Sequence, residues 1–318
     1  MLSEFEFIGN IKSKYGLGKI GDDCAVLPKD SEIDLLLTAD MLVEDIDFRL
    51  DWTKPEFLGH KALAVSLSDI AAMGGTPKWA MLSIAVAENL WKTDFLDRFY
   101  EGWFALANKH SVELIGGDVS RSPDKLVIDS IVGGEVAKGK AVLRSTAKPG
   151  DAILVSGTLG GAAGGLKLLE NGSRYEENLT ELSKNLILKQ LNPQPHTRLA
   201  KLLQSRDIMT SMIDVSDGLS SDLSHICHHS KVGAKINAKK LPINSNLGAH
   251  FSGDECFQMA LDGGEDFELL FTVDEKNISL LNSLDVTHIG EITATIDMIE
   301  LIDVAKSAIL QPKGYRHF

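Results

Sequence analysis

Carboxylates flanked by glycine recur from one end of this chain to the other: Gly21-Asp22-Asp23, Gly116-Gly117-Asp118, Asp214-Val215-Ser216-Asp217-Gly218 and Gly263-Gly264-Glu265-Asp266. Between them, apolar runs of strand length alternate with stretches of helical period. That pattern dictates α/β or α+β layering. The same positions restrict the chemistry. A carboxylate does not hold phosphate directly, whereas it does hold Mg²⁺, which takes hard oxygen ligands and completes its octahedron with water and phosphate oxygens. One Asp beside glycine is most often a turn residue accepting its own backbone N–H; recurrence is what points to a gathered set. Two carboxylates about 4 Å apart repel by about 4 kcal/mol at an effective dielectric near 20, so a gathered set needs cations.

The 318 residues suffice for two domains, each with its own core. A net charge of -13 excludes a sequence-independent nucleic-acid binder, whose affinity comes from Lys and Arg displacing counterions. Cys24, Cys227 and Cys256 are odd in number and lack Cys-x-x-Cys spacing, so they indicate neither a disulfide framework nor a thiolate zinc site. Residues 1–20 have no basic start or continuous apolar run, and Ala62 to Gly75, the most apolar stretch, is too short to span a bilayer. A cytoplasmic protein without a membrane partner is expected.

Ser3 and Glu6 have capping-box spacing ahead of a helix expected to reach Tyr15. Strands are expected at Cys24 to Leu27 and Asp34 to Val43, then a helix from Thr53 and Pro55 to Met73, stopped by Gly74 and Gly75. A strand from Trp79 to Ala87 precedes a helix from Thr93 to His110 with Phe95, Phe99, Trp103 and Leu106 on one face. Strands at Val112 to Ile115 and Leu126 to Val132 are expected to flank a Gly-Gly-Asp turn. Ala147-Lys148-Pro149-Gly150-Asp151 marks a domain joint, giving domains 1–146 and 147–318. The second half should hold strands at Ala152 to Val155, Ser211 to Val215, Leu269 to Val273 and Val286 to Glu291. Helices are expected at Gly160 to Leu169 and Gly218 to His228, with a rigid loop at Asn192-Pro193-Gln194-Pro195.

Some motifs are weak. Gly16-Leu17-Gly18-Lys19-Ile20-Gly21 matches a dinucleotide fingerprint, but the expected order is helix then strand, the reverse of what that motif needs. Ala141 stands where a P-loop beginning at Gly134 requires Ser or Thr. The glycine-started helix at Gly160 could seat an anion on its N–H groups, or simply pack closely on its strand. His225, Cys227, His228 and His229 offer metal-ligand spacing, weighed against a half-exposed helix face. The acidic set is stronger: Asp23, Asp40, Asp69, Asp118 and Asp214 are the ligand candidates, with Asp217 a further one. Arg144 and Arg121 are the side chains best placed by sequence to neutralise a phosphate, each against the alternative of a solvated surface charge.

Together, Gly21 to Val26, Thr38 to Glu44, Ser66 to Gly74, Gly116 to Asp118, Ile213 to Gly218, Gly263 to Leu269 and the tail Gly314-Tyr315-Arg316-His317-Phe318 resemble the thiamine-monophosphate kinase family in order and spacing over nearly the whole chain. The resemblance implies a two-domain architecture like that of aminoimidazole ribonucleotide synthetase, with an N-terminal α/β domain that dimerises through its sheet, a C-terminal α+β domain and ATP in a cleft between them. It also implies the reaction, in which ATP and thiamine monophosphate give ADP and thiamine diphosphate. By motif, Asp23, Thr38, Asp40, Asp69, Asp118, Asp214 and Asp217 would surround several Mg²⁺ ions, Ala39 serving only through its carbonyl. Tyr100, Gly117, Asp118, Arg144 and Ser216 would contact ATP, and Glu265 and Tyr315 the thiamine part. Asp47 stands where many members carry His, which leaves its substrate contact open. No covalent nucleophile or general base is implied. Two alternatives stay open: a superfamily member using ATP on another small acceptor, and a non-catalytic nucleotide-binding module.

Overall fold

The computed structural model describes residues 4–175, 178–303 and 306–315. Ser3 of the capping box, and Arg316, His317 and Phe318 of the tail, lie outside the described residues.

After α1 (Glu4–Tyr15), the first half builds a five-stranded sheet from β1 (Ala25–Pro28), β2 (Ile33–Val43), β3 (Thr76–Val86), β4 (Glu113–Arg121) and β5 (Val127–Ala137). Its order is β1-β2-β5-β3-β4, with β3 and β4 parallel and the other neighbours antiparallel. Between strands run α2 (Pro55–Ala72), the short α3 (Glu88–Trp91) and α4 (Phe95–His110). The expected face of α4, Phe95, Phe99, Trp103 and Leu106, is the one it buries.

Helix α2 is buried on nearly every side, as its near-continuous apolar sequence requires. It crosses α4 at backbone contact. A Cβ on Gly59 would lie 1.9 Å from the Phe99 carbonyl oxygen, and one on Gly102 1.9 Å from that of Glu56.

The second half holds a seven-stranded sheet of order β12-β11-β8-β10-β6-β9-β7. Its strands are β6 (Asp151–Ser156), β7 (Met209–Asp214), β8 (Gly233–Asn237), β9 (Leu269–Asp274), β10 (Val286–Thr293), β11 (Ile299–Asp303) and β12 (Lys306–Ile309). Its helices are α5 (Gly161–Glu170), α6 (Glu181–Leu191), α7 (Thr197–Arg206), α8 (Leu219–Ser230) and α9 (Gly253–Asp262). The division expected at 146/147 falls in the irregular segment between β5 and β6. The halves share apolar packing: Ala71 and Ala72 at the end of α2 sit in one cluster with Leu154, Leu203, Met212 and Phe271.

Two local features differ from expectation. Gly116-Gly117-Asp118 is no turn: β4 runs straight through it beside β3, because glycine lets the two backbones close up and a Cβ on Gly117 would lie 1.9 Å from the Leu82 carbonyl oxygen. Cys24 precedes β1 rather than lying in it, and is buried.

Candidate active site

Alternation along β2 turns Thr38 and Asp40 toward α2 and leaves Ala39 exposed on the opposite face of the sheet. Helix α2 answers with Ser66, Ser68 and Asp69. Thr38 donates its hydroxyl to Asp69, Ser66 donates to Asp40 at 2.6 Å, and Ser68 donates to Asp214 at 2.5 Å. Asp214 ends β7, so this last bond joins the two halves. Asp23, from the loop before β1, completes the group: carboxylate oxygens of Asp23, Asp69 and Asp214 all lie within 4.8 Å of one another.

Such crowding disfavours ionisation. Burial pushes Asp214 up to about 8, with the Asp23 charge adding to it; burial also lifts Asp40 to about 6. Asp69 is raised well above the usual carboxylate range, by burial first and then by Asp40, Asp214 and Asp23. One cation answers them. Arg144 grips Asp23 through two bonds, Nη2 to Oδ1 at 2.5 Å and Nε to Oδ2 at 3.3 Å, while its backbone N–H donates to Asp22 at 2.8 Å. Its carbonyl accepts from Ser211 and Ser230. A single guanidinium cannot neutralise four carboxylates. The donors are hard oxygens at short separation, and they fit divalent cations of the Mg²⁺ type.

Asp217 stands in a neighbouring group with Asp222 and His225, again within 4.8 Å. Asp222 is fully enclosed and accepts from the backbone N–H groups of Asp217 and Gly218 at 3.2 and 3.0 Å, fixing the start of α8. The histidine run is the half-exposed helix face expected from the sequence: His225 and His229 are half-buried, His228 is exposed and Cys227 is buried. A cavity of about 890 Å³ opens here, lined by Asp22, Arg144, Asp217, His225 and Tyr315 among others. The Tyr315 backbone N–H donates to the Asp217 carbonyl at 3.1 Å, and that of Glu265 to Ser216 at 2.8 Å, which brings tail and acidic loop to the same place.

Other expected residues lie elsewhere in the single chain. The register sets Met41, Asp129, Ser83 and Asp118 in one row across the sheet, on the face away from α2. Three strand spacings separate β2 from β4, so Asp118 is about 14 Å from Met41 and on the other face from Asp40. One chain does not bring Asp118 into the carboxylate group. Gly117 lies beside it, and Tyr100 is half-buried on α4 against Phe99. The Asp47 carboxylate accepts from the Val43 N–H at 2.7 Å, closing a turn in which Asp45 has φ 72°. Arg121 pairs with Glu88 at 3.2 Å and is 78% exposed, a solvated surface charge. The start of α5, which could have seated an anion, is filled by the chain itself: Asp266 accepts from the N–H groups of Gly160 and Ala162.

The sequence reading missed Ser66, Ser68 and Lys61. The signal was present: polar side chains in a helix apolar on all sides must find partners inside the protein.

The family described as AIR synthase related protein, N-terminal domain, matches residues 21–136, and its C-terminal domain counterpart matches 148–299. The thiamine-monophosphate kinase of Buchnera aphidicola subsp. Acyrthosiphon pisum is 41% identical over 307 residues, covering 94% of this chain and 92% of the relative. That of Bacillus subtilis is 38% identical and covers all of both chains. The chain belongs to the thiamine-monophosphate kinase family. Solved structures of that family superpose closely. The one described as AaThiL complexed with AMPPCP and TMP has a TM-score of 0.90 at 35% identity, covering 100% of this chain and 97% of that one. The thiamine-monophosphate kinase from Stenotrophomonas maltophilia has a TM-score of 0.79 at 37% identity, covering 94% and 96%. Hydrogenase maturation protein HypE, at 17% identity and a TM-score of 0.71, shares the fold.

Proposed function

We propose that this member of the thiamine-monophosphate kinase family transfers the γ-phosphoryl group of ATP to the phosphate of thiamine monophosphate, giving ADP and thiamine diphosphate. The observation that carries the reading is the group Asp23, Asp69 and Asp214, assembled from both halves beside Arg144. An ATP analogue and TMP sit together in the similar solved structure, which supports the same pair of substrates here. With no helix among the described residues long and apolar enough to cross a membrane, a cytoplasmic setting suits both substrates.

Asp23, Asp40, Asp69 and Asp214 would hold the Mg²⁺ ions, Thr38, Ser66 and Ser68 fixing the carboxylates and Asp217 supplying a further position. Bound there, Mg²⁺ supplies charge neutralisation between donor and acceptor phosphates. Arg144 lies against the same cavity and, released from Asp23, presents two parallel donors to a phosphate. A phosphate monoester is mostly dianionic at pH 7, so no side chain has to remove a proton before attack. Positioning carries the transfer. The transfer is in-line and direct, with no phosphoenzyme. Ser216 and the cavity-lining Tyr315 would contact the substrates, with Glu265 on the thiamine side.

Asp118, Gly117 and Tyr100 join the site from a second copy. The face of the first sheet away from α2 is uncovered in the single chain and carries exposed apolar side chains beside the polar row: Met41 is 60% exposed and Ile115 53%. Two such faces packed together form the homodimer, and an exposed patch of this kind marks an interface.

The test is incubation with ATP, MgCl₂ and thiamine monophosphate, followed by oxidation to fluorescent thiochromes. A diphosphate product lost on adding EDTA supports the reading; no product at saturating substrate removes it. Radiolabel left on denatured protein after γ-labelled ATP would remove direct transfer.

A further inference from the structure

Lys61 is the one lysine among the described residues that is buried, 3% exposed in the middle of α2. Lysine is almost never enclosed without a partner. Its partner comes from the other half of the molecule: Nζ meets Glu265 Oε1 at 2.6 Å, while Gln190 of α6 donates to the second carboxylate oxygen. Glu265 is still 31% exposed at its side chain, so these two partners leave part of it accessible.

The backbone around it is strained. Glu265 has φ 65° and Phe267 φ 51°, both in the left-handed region that non-glycine residues avoid. Asp266 between them is anchored on the N–H groups at the start of α5, and the Glu265 and Phe267 N–H groups donate to Ser216 and Val215. Non-glycine residues hold such angles only where several contacts over-determine them, and such positions cluster at ligand sites.

Lys61 and Ser68 are seven residues apart, two turns of helix, and therefore share one face about 10.5 Å apart. Lys61 holds Glu265 on that face; Ser68 holds Asp214. Both partners belong to the second half. We propose that Lys61 is a positioning residue that fixes Glu265 at a set distance from the carboxylate group, making α2 a ruler for the acceptor. The inference rests on the function proposed above. The acceptor that fits has a phosphate at one end and, one ruler length away, a cationic ring facing the accessible part of Glu265, as the thiazolium of thiamine provides. Lys61 touches neither substrate; it acts through Glu265.

The experiment measures KM for each substrate separately in Lys61→Met, Lys61→Arg, Glu265→Gln and the double variant Lys61→Met/Glu265→Gln, with melting curves for each. Lys61→Met should raise KM for thiamine monophosphate about tenfold or more while KM for ATP stays within about twofold, the signature of a lost acceptor-binding contact. Lys61→Arg keeps the charge and should fall between parent and Lys61→Met. The double variant should bind the acceptor no worse than Glu265→Gln alone, since both changes remove one interaction. Should Lys61→Met fail to fold, the double variant, which leaves no buried charge unpaired, carries the same comparison. A folded Lys61→Met with unchanged acceptor KM, or one in which both KM values rise together, overturns the inference and leaves the kinase reading intact. A parent protein that does not turn over thiamine monophosphate overturns the function itself, and this inference with it.

Discussion

The Ser68 hydroxyl of α2 donates a 2.5 Å hydrogen bond to Asp214 at the end of β7, so the carboxylate group closes only when the two halves are packed together. Neither half alone carries all of these carboxylates. The site is a product of tertiary packing, and its charge is held against repulsion by the rest of the fold.

That repulsion predicts a trade between stability and activity. Asp69→Asn keeps an oxygen for the Thr38 hydroxyl and replaces a carboxyl that, without metal, must either take up a proton or carry a crowded charge. In EDTA the variant should melt about 2 °C or more above the parent, as relief of a strained functional site does. Its turnover should fall on the order of a hundredfold or more. A variant that melts lower in EDTA, in differential scanning calorimetry, would contradict the account of the crowding.

Arg144 and Asp23 form an enclosed pair, with side chains 16% and 1% exposed. Removing one member of such a pair strands the other. Arg144→Met should therefore lose about 3 kcal/mol in urea unfolding, and Arg144→Met/Asp23→Asn should recover part of the loss.

A dimer built on the open sheet face makes a stronger prediction than size alone. Asp118→Asn and Asp69→Asn chains should each be nearly inactive. Mixed, denatured together and refolded, they should recover about a quarter of parental activity, because half the dimers are hybrids and each hybrid has one intact site. Ile115→Arg, which charges the open face, should shift the protein to monomer in light scattering and abolish the recovery.

Besides His225, which burial first and then the Arg144 charge pull down to about 3, two histidines of the first half weaken the fold toward acid pH. His60, whose Nε2 lies 2.6 Å from the Pro193 carbonyl, is pulled below its usual 6.5 by burial, partly opposed by that bond, and then by the Lys109 charge. His110 is lowered by burial, then by Lys109 and His60. Both stay neutral in the fold while the unfolded chain takes up protons near 6.5, so stability is complete above that value and is lost as pH falls below it toward their folded values. These losses oppose the gain that the raised carboxyls Asp40, Asp69 and Asp214 bring as pH falls, so the melting temperature of His60→Gln/His110→Gln, followed in EDTA from pH 7.5 to 5, should climb relative to the parent's toward the acid side.

The main helices were legible because their apolar periods are long: α2 and α4 fall within a residue or two of their expected limits. Asp23, Asp69 and Asp214 could be named because acidic residues recur in such motifs, but their convergence could not, since it joins segments far apart in the chain through the bonds of Ser66 and Ser68. Asp118 shows the opposite failure. Its neighbours Gly116 and Gly117 read locally as a turn, and only the close approach of β3 makes them strand. Helices α6, α7 and α9 and strands β8, β11 and β12 had no expectation attached to them; their segments are short, and tertiary packing decides them.

At the start of α5 the carboxylate of Asp266 occupies the berth that a free phosphate would otherwise take. A phosphate approaching that helix start would meet a carboxylate instead of free N–H groups. On the function proposed here, a nucleotide would instead be held through cations at the carboxylate group, and its grip on the protein would follow the supply of magnesium.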